Sequence, residues 1–436
     1  MPRLSDKDIT KKVLDWNISK DREDMMKAKE YYLSKNDITK RLFYINTPKG
    51  QIEDVYRSNT RLSSSFFQLL VDQKVSYCLS KDIVLKDIST PFDINDEIDY
   101  TAEEASIKSI GWTHIYADKE GLIKLKTMES EEIIEIYDGT IEKNLLYVIR
   151  IYELSDEKFA QLWDDTNKYI YKMDKDGIYK YQEESSHLDN GVSWGMIPFI
   201  PLYNNRNKTN DLMRIKCLID AYDTVISDFA NNFIDFQELI LFVKNYNENV
   251  ATETAAMELM EWLKKYKIIS VRADGSLDII SKEVPYQARG EFLLILKKLI
   301  YSFGQGVDID ELKGTSLTNV VVKAYFALLD IKANKFIKQC KKYIKELLKF
   351  SNAYNKMKSQ QTYDISKVEI VFNKSIIINE KEVIESIAAA GEFTSLETQV
   401  AKNPLVDNAK EELQKIEEEN LQYNEPVVPG SGLDEA

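Results

Sequence analysis

Ile215-Lys216-Cys217-Leu218-Ile219-Asp220-Ala221-Tyr222-Asp223-Thr224-Val225-Ile226-Ser227-Asp228-Phe229-Ala230-Asn231-Asn232-Phe233 is the stretch on which the architecture turns. Ile215, Leu218, Tyr222, Val225, Phe229, Phe233, Phe236, Ile240 and Val243 keep one face apolar at three- and four-residue steps, the period of an α-helix. The spacing predicts about 30 helical residues, on the order of 45 Å. Thr209, Asn210 or Asp211 can cap its start, each offering a side-chain oxygen to the free amides of the first turn. Acids crowd this helix: Asp220, Asp223, Asp228, Asp235 and Glu238, with no Lys or Arg between Cys217 and Val243.

A second long helix, over roughly 319–350, carries the opposite charge. Lys332, Lys335, Lys338, Lys342, Lys345 and Lys349 recur at three- and four-residue steps and share one stripe, with Thr315, Ser316 and Thr318 as capping candidates. Two plain solvated faces would explain this pattern; so would pairing between subunits, or a basic surface facing nucleic-acid phosphates. Both rods exceed the three turns of an average helix and call for neighbouring copies to cover their apolar sides.

Outward from these rods the period changes. Helical stretches are expected near 20–33, at 61–79, and at 101–110, where Gly111 breaks the run. Gly121–Met128, Glu132–Tyr137, Leu145–Glu153, Lys168–Met173 and Ile178–Gln182 are short and rich in Ile and Tyr. Turn signals such as Asp138-Gly139 and Asp174-Lys175-Asp176-Gly177 separate them, which predicts an antiparallel meander. Trp194–Pro201 is an extended connector, its two prolines excluding a helix or central strand.

Residues 247–285 read as a small separate unit, with strands at Ile268–Arg272 and Leu277–Ile280. A helix over about 286–303 stops at Gly304, and a polar loop leads to the second rod. Val368–Phe372 is strand-like. Capping boxes at Asn379/Glu382 and Thr394/Glu397 mark small helices, Gly391 suits a helix end, and the tail after Tyr423 is expected to be disordered. The fold class is α+β, mainly helical, without internal repeats.

Composition excludes several functions. The 436 residues carry a formal net charge of -14, which argues against a generally basic nucleic-acid-binding surface. Three dispersed cysteines, Cys78, Cys217 and Cys340, give no disulfide framework and fit a reducing compartment. The opening Met1-Pro2-Arg3-Leu4-Ser5-Asp6 is not that of a signal peptide, and no apolar run spans a bilayer, so a soluble protein is expected.

Catalytic constellations are thin. His114 and His187 lack partners at ligand spacing and read as structural. Lys313-Gly314-Thr315 superficially resembles a phosphate loop, but its lysine precedes the glycine it should follow. Asp308 and Asp310 read as a solvated loop rather than the metal site of a nuclease. No cofactor and no metal are expected.

Several segments, in order, resemble phage portal proteins of the long-tailed siphovirus type. Asn59-Thr60-Arg61-Leu62 with Leu70-Val71-Asp72-Gln73-Lys74-Val75-Ser76-Tyr77 looks like their early helix. Ile197-Pro198-Phe199-Ile200-Pro201-Leu202-Tyr203-Asn204-Asn205 is similar to the connector before their stem. Asp211-Leu212, Leu218–Tyr222 and Ser227–Asn231 resemble the first stem helix. Phe303-Gly304-Gln305-Gly306-Val307-Asp308 and Leu328–Asn334 resemble the tunnel-loop region and the helix after it, and Asn403-Pro404-Leu405-Val406-Asp407 fits the crown.

The resemblance implies a portal fold of wing, stem, clip and crown, in a ring of twelve subunits around a central DNA channel. Residues 1–210 would be wing, 211–246 and 286–303 stem, and 247–285 clip. The tunnel loop would be 304–318, with Gly304, Gln305, Gly306, Val307, Asp308, Lys313, Gly314, Thr315 and Ser316, its glycines acting as hinges. Residues 319–375 would be a long helix and a return strand to the wing, and 376–422 the crown.

Asp220, Asp223, Asp228 and Asp235, with Lys335, Lys338, Lys342 and Lys345, would be interface or channel charges. The implied function is a structural, non-enzymatic conduit for double-stranded DNA at one vertex of the virion. Terminase large subunit, a head-completion adaptor, and major capsid and scaffolding proteins would be its partners, with no membrane. The competing reading, a nuclease or NTPase of the packaging motor, needs a Walker A or a clustered acidic metal site, and the sequence supplies neither.

Overall fold

The computed structural model describes residues 3–47, 50–54, 58–86, 88–188, 191–235, 240–243, 277–280, 286–312, 318–374, 380–391, 393–403, 405–406 and 409–423. The helices in chain order are α1 (Asp6–Asn17), α2 (Lys20–Tyr32), α3 (Phe66–Leu79), α4 (Asn95–Lys108), α5 (Lys216–Asp235), α6 (Tyr286–Gly304), α7 (Asn319–Met357), α8 (Glu380–Ala389), α9 (Leu396–Lys402) and α10 (Ala409–Tyr423). The α+β class expected from the pattern is what the chain adopts.

The meander is present as a five-stranded antiparallel sheet from Ile133 onward, while its expected first strand, Gly121–Met128, pairs in a second sheet instead. Its strands are β6 (Ile133–Tyr137), β7 (Leu145–Leu154), β8 (Glu157–Trp163), β9 (Asn167–Met173) and β10 (Tyr179–Ser186), side by side in chain order. Asp174 builds one turn by accepting the amides of Asp176 (3.0 Å) and Ile178 (2.9 Å), with Gly177 at φ 78° where a side chain would be strained. β8, not anticipated, has charged residues at one end that mask its alternation.

α1 covers one face of this sheet, burying Ile9 and Val13 against Ile149, Leu162 and Tyr171. It also blunts the open edge at β10: Thr10 Oγ1 accepts the amide of Tyr179 at 2.9 Å and Asp6 Oδ1 that of Tyr181 at 3.3 Å.

A second sheet, in the order β11 (Phe199–Tyr203), β4 (Ile110–Ala117), β5 (Ile123–Met128), turns the expected connector into an edge strand. Pro201 is tolerated there because one side of the strand has no neighbour. Gly111 does not break α4, which ends at Ser109 in the left-handed region (φ 73°). Gly111 opens β4 instead, where an added Cβ would meet the Thr101 carbonyl oxygen at 2.2 Å.

The main core forms around the second half of α7. Leu329, Ala333, Phe336, Ile337, Cys340, Tyr343, Ile344, Leu347 and Leu348 pack against Cys78, Ile98, Ala102, Ala105, Ile115, Leu125, Ile200 and Leu202. Each fully buried Leu, Ile or Phe contributes about 1.5–3 kcal/mol. The expectation that this rod needs neighbouring copies to cover it is therefore corrected for its second half. Val320, Leu328 and Ile331 towards its start stay exposed, as does Met357 at its end. Thr318 caps the helix, accepting the Val321 amide at 3.4 Å.

The acidic rod is shorter than its periodicity suggests. α5 ends at Asp235, and Ile240–Val243 is a strand, β12, antiparallel to β13 (Leu277–Ile280). A run of four apolar residues fits helix and strand equally, and pairing with a distant partner decides it. Two short pairs complete the strands: β1 (Tyr44–Thr47) with β2 (Gly50–Glu53), and β3 (Val84–Leu85) with β14 (Ile370–Val371). Among the described residues no helix is long and apolar enough to cross a membrane.

Candidate functional site

The region between α5, α6 and α7 holds most of the residues singled out in the sequence. α5 and α6 lie against one another with Phe66 wedged between them, its ring edge-on to Tyr222 (4.9 Å) and Tyr301 (6.0 Å). Ile215, Ile219, Ile300 and Tyr301 join Phe67, Leu70 and Val71 in one cluster. Outside that cluster the pair leaves large apolar side chains exposed: Phe233 and Ile234 on α5, and Phe292, Leu294, Ile295 and Phe303 on α6.

Asp220, Asp223 and Asp228 of α5 are engaged within the chain, which corrects their reading as interface or channel charges. Asp223 is buried and accepts the Ser64 amide at 3.0 Å and Asn36 Nδ2 at 2.6 Å. Burial pushes its carboxyl up, opposed by those two bonds. Asp220 pairs with Lys216 at 2.8 Å and accepts the Tyr31 hydroxyl, and Asp228 pairs with Arg41 at 2.8 Å. The side chain of Asp235 lies outside the described residues, as does Glu238.

Asp211 is not a helix cap. It sits between two ammonium groups, 3.0 Å from Lys74 Nζ and 3.1 Å from Lys332 Nζ, while Asn210 Oδ1 accepts the Met213 amide at 3.0 Å. Burial alone would push the Asp211 carboxyl up; the Lys332 and Lys74 charges outweigh it and hold it below the usual carboxylate range. Lys74, fully buried, also donates to Ser106 Oγ at 2.8 Å and to Asn204 Oδ1. This hub ties α3, α4, α7 and the chain entering α5 together.

The start of the expected tunnel loop is clamped. Gly304 ends α6 and Gln305 takes a left-handed conformation at φ 56°. The Gln73 side chain pairs with the Val307 backbone as a strand would, donating at 2.7 Å and accepting at 2.9 Å. Lys332 Nζ donates to the Gly304 carbonyl at 2.9 Å.

A Cβ on Gly306 would meet Leu70 Cδ2 at 2.1 Å, and one on Gly304 would meet Leu70 Cδ1 at 2.6 Å. These two glycines permit close packing, which corrects their reading as hinges. Asp308 and Asp310 both hold Lys297, at 2.9 and 2.8 Å, as ion pairs. Lys313, Gly314, Thr315 and Ser316 lie outside the described residues.

On α7, Lys335, Lys338 and Lys342 are exposed and Lys345 half-buried, and none has a carboxylate partner among the described residues. Opposite them lies the core face, so these four point away from it, while Lys332, expected in the same stripe, turns inward to Asp211. Three carboxylates elsewhere, of Glu104, Glu129 and Glu131, stand close enough to hold a cation. Lys108 Nζ occupies their centre at 2.8, 2.7 and 2.6 Å.

Sequence reasoning missed Lys74 and the inward turn of the α5 acids. For the latter a signal existed: Asp223, Ser227 and Asn231 put short hydrogen-bonding side chains at four-residue steps, whereas solvated faces favour long Lys and Glu.

Comparison with known proteins settles what this architecture belongs to. The family described as Phage portal protein, SPP1 Gp6-like, matches residues 12–426. The portal protein of Bacillus phage SPP1 is 29% identical over 442 residues, covering 95% of this chain and 86% of the relative. That of Clostridium phage phiCD119 is 31% identical over 382 residues, covering 78% and 82%.

Among solved structures, the neck of an empty GTA particle computed with C6 symmetry aligns with a TM-score of 0.45 at 9% identity, covering 78% of this chain and 90% of that one. An HK97 family phage portal protein from Corynebacterium diphtheriae aligns at 0.39 and 6%, covering 70% and 89%. Neither structural likeness is close enough to add weight. The class is that of phage portal proteins. The chain belongs to the SPP1 Gp6-like portal family, across nearly its whole length.

Proposed function

We propose that the chain assembles with identical copies into a closed ring of twelve, forming the channel through which double-stranded DNA is packaged into and ejected from the virion. Family membership supports this reading, and the observation that carries it is the exposed apolar surface of the α5–α6 pair: Phe233, Ile234, Phe292, Leu294, Ile295 and Phe303. A patch of that kind marks an association surface, and heterologous contacts about a rotation axis close into a ring.

In this reading residues 1–210 form the wing, α5 and α6 the stem, 247–285 the clip, and 376–422 the crown. The tunnel loop runs from Asp308 to Thr318 on a root fixed at Gly304–Val307. The α7 lysines face a neighbouring subunit or DNA phosphates. Terminase, the head-completion adaptor, and capsid and scaffolding proteins are the partners, and the chain's own role is structural.

Negative-stain microscopy and light scattering of the purified chain test it. Rings are expected, and a strict monomer at every concentration and salt tested overturns the reading. Replacing Lys338, Lys342 and Lys345 with Glu should weaken assembly while leaving the monomer folded, because none of the three has a carboxylate partner among the described residues. Robust ATP hydrolysis with DNA would revive the motor-enzyme reading.

A further inference from the structure

Where β4, β5 and β11 meet β7, β8 and β9 lies a cavity of ≈ 440 Å³. Its walls are aromatic. The His114 ring stacks on Phe199 at 4.4 Å and meets Trp163 edge-on at 4.8 Å, and His187 lies 5.6 Å from Trp163. Its charged lining residues are Lys126, Arg150 and Lys168, with no carboxylate among the lining, in a chain whose net charge is -14.

Two of these cations are already engaged: Lys126 holds Glu97 at 2.7 Å, and Arg150 lies 3.6 Å from Glu132. Lys168 has no carboxylate partner among the described residues; its ammonium stands 5.6 Å from the centre of the Trp163 ring. Trp163 Nε1 is buried without a hydrogen-bond partner.

His114 adds an acceptor. Its Nδ1 lies 2.8 Å from the Pro198 carbonyl oxygen, which only accepts, so Nδ1 carries the proton. Burial pushes the ring's pKa down to about 4 against that bond, so at neutral pH Nε2 keeps a lone pair. Aromatic walls, a free cation and a neutral ring acceptor together select a planar, amine-bearing ring that carries an anion.

We propose that this cavity binds a nucleotide, its base laid against the wall that His114, Trp163 and Phe199 form together and its phosphate at Lys168. The shared chemistry is a base with its phosphate, from a free mononucleotide or from single-stranded DNA. The inference is independent of the ring reading, since the cavity lies within one chain.

Calorimetric titration of the full chain tests it, with 2′-deoxyadenosine 5′-monophosphate, a short deoxyadenosine oligonucleotide, adenosine and inorganic phosphate in separate arms. Saturable binding at one site per chain is expected from the mononucleotide or the oligonucleotide, whichever is the source. Adenosine and phosphate alone should bind at least about tenfold more weakly, a loss of about 1.4 kcal/mol.

Lys168→Gln should weaken nucleotide binding by a similar factor, while Lys338→Gln, on α7, should not. A melting temperature matching the parent shows that Lys168→Gln is folded; where it does not match, Lys168→Met takes its place. No saturation by either nucleotide arm, phosphate binding as tightly as the nucleotide, or binding that survives loss of the Lys168 charge overturns the proposal.

Discussion

The carboxylate of Asp223, on α5, accepts the backbone amide of Ser64 at 3.0 Å. The contact is one rung of a ladder. Ser227 Oγ accepts the Leu62 amide at 2.9 Å and Asn231 Oδ1 the Thr60 amide at 2.6 Å. Four helical residues rise about 6.0 Å and two extended residues about 6.6 Å, so every fourth side chain of α5 meets every second amide of the segment. The same match recurs where Asp6 and Thr10 of α1 meet Tyr181 and Tyr179. A helix here does the work of a neighbouring strand.

Removing a rung should cost what an unsatisfied buried amide costs. Ser227 is buried and Ser227→Ala leaves the Leu62 amide without its acceptor, so a loss of about 1–3 kcal/mol is expected. Asp223→Ala strands both the Ser64 amide and Asn36 and should cost more. Urea unfolding of the two variants checks the order, and equal effects within error would mean that water replaces the side chains.

Much of this fold is legible in sequence because it is periodic. β6, β7, β9 and β10 stand out as short Ile- and Tyr-rich runs between turn signals, and α7 shows its apolar stripe from Leu329 to Leu348. What stays hidden depends on long-range partners. Nothing in Gln73-Lys74-Val75 marks Lys74 for burial, since its counter-charge, Asp211, lies 137 positions away. Ile240–Val243 continues a helical period by coincidence and becomes a strand through pairing with Leu277–Ile280. The ladder from α5 serves an irregular segment, for which no pattern exists.

Gly306 should tolerate a methyl group only when Leu70 gives way. The added Cβ would lie 2.1 Å from Leu70 Cδ2 and 2.9 Å from Gln73 Oε1, and Leu70 is buried. Gly306→Ala is expected to cost about 1–3 kcal/mol by overpacking. In a Leu70→Ala background the same change should cost much less. A double-mutant cycle on unfolding free energies reads the coupling, and strict additivity would remove Leu70 as the obstacle.

His114 should make stability depend on pH in a defined window. Its pKa is pushed down to about 4 in the folded chain, chiefly by burial, with Arg150, His187 and Lys168 adding to the effect and the Pro198 carbonyl opposing it. The unfolded chain therefore takes up a proton at about pH 6.5, before the folded chain does. Stability from the neutral ring is complete above that value, is lost as pH falls towards 4, and changes no further below. His114→Gln should lack this component. The stability gap between parent and variant should shift in favour of the variant by on the order of 2–3 kcal/mol from pH 7 to pH 4. A gap constant across that range would mean that the ring is protonated freely in the folded chain.

Asp211 should be harder to replace than the lysine it neutralises. Lys74→Met removes one of two ammonium groups and leaves the carboxylate paired with Lys332 at 3.1 Å and with Asn204 Nδ2 at 3.0 Å. Asp211→Asn instead leaves Lys74 and Lys332 facing each other without a counter-charge, and breaking a buried pair this way costs about 3–5 kcal/mol. The double variant relieves that repulsion, so it should be more stable than the sum of the two single losses predicts. Urea unfolding of all three decides it. If Lys74→Met proves the more damaging change, the hub owes more to the contacts of Lys74 with Ser106, Asn204 and the Phe336 ring, 4.1 Å from its ammonium, than to the charge of Asp211.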